Sequence, residues 1–314
     1  MNCKQNISKL KNYFPPKIGQ SLLMMSCFDD IHEIRMRVNR PLGIVSYGTE
    51  RFLTGRGGVT DYSEMCVPVT PEDMEYSFRA VCDYSIHSYK REISEGFITL
   101  EGGNRVGICG TAVTENGKIE TLKYISGLNF RISGQAYGCA DEIYNKCFCS
   151  GLKSLLIIGP PMSGKTTVIK DLCRILGGRY RISVIDERGE IGAVYHGVPQ
   201  NNVGRMTDVF DGYPKSKGIL TAVRVMSPDI VVCDEIGGEE DCSALLSSSN
   251  TGVKVIASVH GGGLRDVIKR KNIDEIIKNG IFECFATLGT GRNVGKVIGL
   301  QVFFLFFLHS VLSV

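Results

Sequence analysis

The sequence predicts an α/β protein: a mainly parallel sheet flanked by helices, preceded by a smaller α+β domain. Three observations predict it. From about residue 151 onward, short apolar runs that end in polar residues alternate with helical segments, the pattern of a doubly wound sheet. One of these runs opens directly into Gly159-Pro160-Pro161-Met162-Ser163-Gly164-Lys165-Thr166, a G-x-x-x-x-G-K-T loop. Upstream, short strand-like runs are joined by Gly- and Asn-containing turns, as in an antiparallel sheet. The expected domains are 1–150, 151–300 and an apolar tail, 301–314.

In the first domain, Pro71 to Cys82 has a proline at its start, acids in its first turn and apolar residues three and four apart. That spacing predicts a helix. Phe97–Leu100, Arg105–Cys109 and Ile119–Leu122 read as strands, and Glu115-Asn116-Gly117 is the clearest hairpin signal among them. In the second domain, Ser154–Ile158 reads as a buried strand and Thr166–Leu176 as the helix after the loop. Arg181–Ile185 is a strand ending at Asp186-Glu187-Arg188, and Gly218–Val225 is apolar and mixed. Asp229-Ile-Val-Val-Cys233 ends in Asp234-Glu235, and Val253–Ser258 leads to His260. Val297–Val314 is mostly apolar and is expected to form a buried terminal strand with a sticky tail. The competing reading is a short membrane span.

The loop spacing carries chemistry. Its glycines let successive backbone N–H groups turn toward one phosphate, with the helix N-terminus adding its dipole. Gly159, Pro160, Pro161, Met162, Ser163, Gly164, Lys165, Thr166 and Thr167 are the expected nucleotide-binding residues. Lys165 can reach the β- and γ-phosphates of ATP, and Thr166 can ligate Mg²⁺. Asp234 is the second expected metal residue, and Glu235 can orient and deprotonate a water. Asp186 and Glu187 can position water or metal, or Glu187 and Arg188 can pair structurally. His260 precedes Gly261-Gly-Gly263, so it is a candidate γ-phosphate sensor as well as a structural histidine. Arg205 and Arg224 are candidates to stabilise charge, in the same chain or from a neighbour.

Bulk properties exclude little. A net charge of +3 argues for no nucleic-acid role by itself. The twelve cysteines form no CxxC pair and no zinc spacing, a usage expected of a reducing cytoplasm. The polar start, Met1-Asn-Cys-Lys-Gln-Asn, does not read as a signal peptide.

Taken together, Arg224-x-x-x-Pro228-Asp229, Asp234-Glu235-Ile236, Thr251-Gly252 and His260 resemble the RecA-like P-loop core of the type II and type IV secretion ATPases. More narrowly, residues from about 15 to 298 are similar to the stage III sporulation AA family. The stretches that carry this are Glu33-Ile-Arg-Met-Arg37, Gly102–Gly110, Ile125–Arg131, Val184–Arg188 and Asp208–Pro214. The resemblance implies an ATP phosphohydrolase with no small-molecule acceptor, acting as a homo-hexamer with nucleotide between subunits. It also implies membrane channel proteins as partners and a mother-cell cytoplasmic location, peripheral to the membrane. Asp186–Glu190 would be the acidic box and His260 the histidine box. The chain departs from the family at Met206, where an arginine is expected; Arg205 lies one place earlier.

Three rivals stand beside this reading. A small-molecule kinase would need an acceptor pocket and lid, which the sequence does not display. A nucleic-acid binder could use Arg35, Arg37, Arg105 and Arg131, although they lie on separate segments. An assembly scaffold would bind ATP and hydrolyse it little.

Overall fold

The computed structural model describes residues 9–25, 31–62, 64–249 and 251–302. The chain divides into two compact units between Gly134 and Gln135. That point precedes the change of pattern near residue 150, because Ala140, Ile143, Cys147 and Phe148 pack into the core of the second unit. The segment 303–314, most of the expected tail, lies outside the described residues.

The first unit is built on one antiparallel sheet. Its strands are β1 (Ile31–Arg37), β2 (Gly43–Ser46), β3 (Thr49–Leu53), β4 (Val59–Thr60), β5 (Phe97–Thr99), β6 (Arg105–Glu115) and β7 (Lys118–Arg131). They lie in the order β4-β3-β2-β1-β7-β6-β5. The β6–β7 hairpin turns at Asn116 (φ 51°) and Gly117 (φ 76°), both in the left-handed region that a two-residue turn of this kind requires. Both strands continue well past the segments read from sequence. Helix α1 (Pro16–Leu23), α2 (Pro71–Val81) and α3 (Lys90–Glu95) complete the unit. The helix expected over 71–82 starts with a capping box: Asp73 N–H donates to the Thr70 hydroxyl, and the Thr70 N–H donates to the Asp73 carboxylate.

Alternation in this sheet sorts the side chains. Ile34, Met36, Leu128 and Phe130 enter the core, where Phe14 packs 4.4 Å from Phe130 between ring centroids. The intervening residues face outward, and strand pairing puts Arg131 opposite both Glu33 and Arg105. Arginines that are scattered in the sequence are thus gathered on one sheet face. Glu33 and Glu50 offset part of that charge, pairing with Arg35 and Arg37 at 2.7 and 2.6 Å.

The second unit has a mainly parallel sheet. Its strands are β8 (Leu155–Gly159), β9 (Ile182–Asp186), β10 (Thr207–Asp211), β11 (Ile230–Cys233), β12 (Lys254–His260), β13 (Cys284–Leu288) and β14 (Val297–Val302). The order is β10-β9-β11-β12-β8-β13-β14, parallel throughout except for the antiparallel β13–β14 pair. The longer helices are α4 (Lys165–Leu176), α5 (Lys215–Met226), α6 (Glu239–Ser249) and α7 (Lys271–Lys278). The apolar runs are continuous because both faces are covered. Leu155 and Ile157 join Val168 and Leu172 on one side, while Leu156 and Ile158 join Ile219 and Ile276 on the other. The expected buried terminal strand is only half buried: β14 closes the sheet as an edge, with Val297, Leu300 and Val302 against the core and Ile298 exposed. Among the described residues no helix is long and apolar enough to cross a membrane.

The parallel strands enter this sheet at one edge and leave at the other. At the entry edge Arg181, just before β9, holds Asp229, just before β11, through its guanidinium (2.7 and 3.2 Å) and its backbone N–H (2.9 Å). These bonds hold the Asp229 carboxyl below its ordinary value of 3.8. The stabilisation from a depressed carboxyl is complete above its unfolded value and is lost as pH falls through the folded one. The pair is largely solvated, so its contribution is small. Asp229→Asn should therefore lower stability slightly at neutral pH and flatten the part of the acid limb below about pH 4, as measured by urea unfolding across pH 2.5–7.

Candidate nucleotide site

All the chemistry lies at the exit edge of the parallel sheet. Gly159 at the end of β8 pairs with His260 at the end of β12, and Cys233 at the end of β11 pairs with Ala257. Strand β12 therefore lies between the loop strand and the strand that carries the acidic pair. The two are not adjacent, and His260 stands on the strand between them.

The loop is built for a close-fitting anion. Gly164 has φ 90° and Met162 φ 61°, so the chain curls before α4. A Cβ on Gly164 would come within 3.2 Å of the Gly295 backbone, and one on Gly159 within 2.3 Å of Ser163 Oγ. No side chain caps the start of α4. Its first N–H groups, from Lys165, Thr166 and Thr167, thus have no partner inside the helix. The Ser163 hydroxyl is buried without a hydrogen-bond partner in the protein. Pro160 and Pro161 bring no N–H, so the donors come from Met162 onward.

Lys165 is folded back on its own loop. Its Nζ donates to the carbonyls of Gly159 and Pro160, both at 3.1 Å, and meets His260 Nδ1 at 3.1 Å. Burial lowers its pKa, against the opposing pull of Asp234 and Glu235. An ammonium can only donate, so His260 Nδ1 accepts, and the imidazole proton resides on Nε2. From there it points at Glu235 Oε1, 2.9 Å away. The other carboxylate oxygen of Glu235 accepts from Arg188 Nη1 at 2.6 Å. Lys165, His260, Glu235 and Arg188 form one continuous chain.

Next to it, the Thr166 hydroxyl donates to Asp234 Oδ2 at 2.6 Å. Asp234 Oδ1 accepts from the Ser258 hydroxyl and from the Glu235 N–H. A hydroxyl beside one carboxylate is a hard-oxygen pair suited to Mg²⁺, which takes few protein ligands and completes its shell with water and phosphate. No cluster of three or more metal-ligating side chains exists among the described residues. The residues present fit Mg²⁺ with a nucleotide and do not form a protein-only metal cage.

Other expected residues are placed differently. Asp186 is buried, and its carboxylate accepts N–H bonds from Glu190, Ile191 and Gly192 at 2.7–3.2 Å. It shapes the loop after β9 and is not positioned to hold metal. Glu187 reaches the Lys215 ammonium at 3.5 Å, whereas Arg188 reaches Glu235. Arg205 precedes β10 at the entry edge, where it donates to the Gly178 carbonyl at 3.1 Å. Arg224 is in the last turn of α5, whose first turn is at the exit edge. Within the chain, neither arginine reaches the site. Sequence reading missed Ser258 and Lys215. Ser258 was visible only as part of an apolar strand, and Lys215 only as a residue after a proline.

The family model described as Sporulation stage III, protein AA matches residues 4–302. Stage III sporulation protein AA of Bacillus subtilis (strain 168) is 34% identical over 274 residues, covering 85% of each chain. Among solved structures, the pilus retraction motor PilT with bound ADP superposes with TM-score 0.62 at 12% identity, covering 93% of this chain and 84% of that one. The Legionella pneumophila ATPase DotB does so with TM-score 0.56 at 11% identity, covering 95% and 82%. At these identities the likeness shows the fold: that of the RecA-like P-loop secretion ATPases.

Gly164→Ala tests the loop geometry. The left-handed backbone and the 3.2 Å approach to Gly295 leave little room for a methyl group. Stability should fall by about 1–3 kcal/mol in urea unfolding, and affinity for a fluorescent ADP should fall with it.

Proposed function

The chain belongs to the sporulation stage III protein AA family, and from that premise we propose that it is a Mg²⁺-dependent ATPase. The observation that carries this reading is the chain Lys165–His260–Glu235, which ties the phosphate loop to a carboxylate two strands away. Lys165 leaves its loop carbonyls for the β- and γ-phosphates of ATP, whose negative charge compensates an ammonium that burial disfavours. The N–H groups at the start of α4 bind the phosphates. Thr166 and, through water, Asp234 would hold Mg²⁺, which would supply positive charge to offset that of the phosphates. Glu235 aligns a water and takes its proton as the water oxygen bonds to the γ-phosphorus and the bond to the β-phosphate bridging oxygen breaks. ADP and inorganic phosphate leave. His260 contacts both Lys165 and Glu235, so it couples the occupancy of the loop to the position of the base.

The work of hydrolysis, on this reading, is domain movement in a homo-hexamer that powers a secretion-type channel between mother cell and forespore. The protein would act from the mother-cell cytoplasm, peripheral to the membrane, with membrane channel proteins as partners. Family membership and the fold shared with PilT and DotB support this. A second reading has one observation behind it: the outward arginine face of the first unit, a feature compatible with nucleic acid. Titration with single-stranded RNA at two salt concentrations decides that point, since phosphate contacts make binding salt-dependent.

The direct test is steady-state ATP hydrolysis with Mg²⁺. Glu235→Gln should lower kcat by about 10²–10⁴-fold while a fluorescent ATP analogue still binds. Lys165→Ala should lose both binding and turnover. Hydrolysis by Glu235→Gln at the wild-type rate would refute the assignment of the base.

A further inference from the structure

The Glu235 backbone is held in a conformation that few glutamates adopt. Its φ is 50°, in the left-handed region, where a Cβ crowds the following carbonyl oxygen. This turn, at the end of β11, aims the carboxylate at His260. The peptide groups around it are held from two sides. The Glu235 N–H donates to Ser258 Oγ on β12 at 3.0 Å, and the Glu235 carbonyl accepts from Lys215 Nζ at 2.9 Å.

Lys215 is out of place by every local rule. It is the first residue of α5, a helix with no acid in its first turn, although a helix N-terminus disfavours a cation. Its side chain is only 11% exposed, which is costly for an ammonium. What compensates it is a ring of acceptors: the Glu235 carbonyl, Glu187 at 3.5 Å and Asp241 at 3.7 Å. These come from the end of β11, the loop after β9 and the first turn of α6. Lys215 thus draws three segments together around the peptide of one residue. A conflict between local preference and tertiary placement of this kind marks a functional constraint.

We propose that Lys215 is a positioning residue for Glu235, acting through the backbone carbonyl to keep the left-handed turn and so the carboxylate in line with His260. The inference rests on the ATPase reading above. Lys215 touches neither Lys165 nor Thr166 nor the phosphate loop in the contacts described, so its role concerns turnover and not nucleotide affinity.

The test uses the full-length protein with Lys215→Met, which keeps the bulk and removes the donor, and Lys215→Arg, which restores it. Lys215→Met should lower kcat by about 10²-fold with KM for ATP unchanged within a factor of about three. Lys215→Arg should recover a substantial part of the loss. Amide hydrogen exchange in peptides covering Asp234–Ile236 should be faster in Lys215→Met, a readout independent of turnover. Should Lys215→Met fail to fold, Lys215→Ser serves in its place, since it is too short to reach the Glu235 carbonyl and leaves room for water; it should lower kcat by a similar factor. Wild-type kcat in Lys215→Met or Lys215→Ser, or a rise in KM at constant kcat, overturns the inference while a dead Glu235→Gln leaves the ATPase reading standing. A wild-type protein that binds ATP without hydrolysing it overturns both.

Discussion

The imidazole of His260 is the contact on which the arrangement of the site depends. It stands on β12, between the strand that ends in the phosphate loop and the strand that ends in Asp234-Glu235. Without it, the ammonium of Lys165 and the carboxylate of Glu235 would be separate features of one sheet edge. With it, a proton donor on the loop, an imidazole and a carboxylate form a directed line, because an ammonium cannot accept and so fixes the tautomer. The parallel sheet makes this possible. Its register brings the ends of β8, β11 and β12 to one edge, and the continuous apolar cores on both faces keep them there.

The site is also held in readiness. Lys165 is buried with its charge disfavoured and its hydrogen bonds spent on the carbonyls of its own loop. Ser163 has a buried hydroxyl without a partner, and the start of α4 has no side-chain cap. Each is a local cost, and each would be relieved by an anion on the loop. Similar accounting applies to the left-handed Glu235 and the nearly buried Lys215. Strain and buried charge collect where the rest of the unit is most regular, as expected when a rigid scaffold positions reactive groups.

Much of this was legible in the sequence where the signal is local. The phosphate loop depends on eight consecutive residues, and the Asn116-Gly117 turn on two. Strand ends at Asp186, Asp234 and His260 were readable because each follows a short apolar run. What could not be read was spatial order. Nothing in the spacing says that β12 is inserted between β8 and β11, and so the role of His260 as a bridge was invisible. Asp186 shows the same limit, for it reads as a metal or water ligand until three backbone N–H groups are seen to surround it. Arg35, Arg37, Arg105 and Arg131 lie on three separate segments, and only antiparallel pairing gathers them on one face. The change of domain was read from strand pattern, whereas the division follows the side chains of Ala140–Phe148, which pack forward into the second core.

The most direct measurement is ¹⁵N NMR of the His260 imidazole, assigned with His260→Gln, in the free protein and with saturating Mg²⁺ and a non-hydrolysable ATP analogue. The contacts with Lys165 and Glu235 require a ring proton on Nε2 in the free protein, with Nδ1 accepting a hydrogen bond. A clear shift at Nδ1 is expected when nucleotide draws Lys165 away. A proton on Nδ1 in the free protein, or resonances unmoved by bound nucleotide, would contradict it.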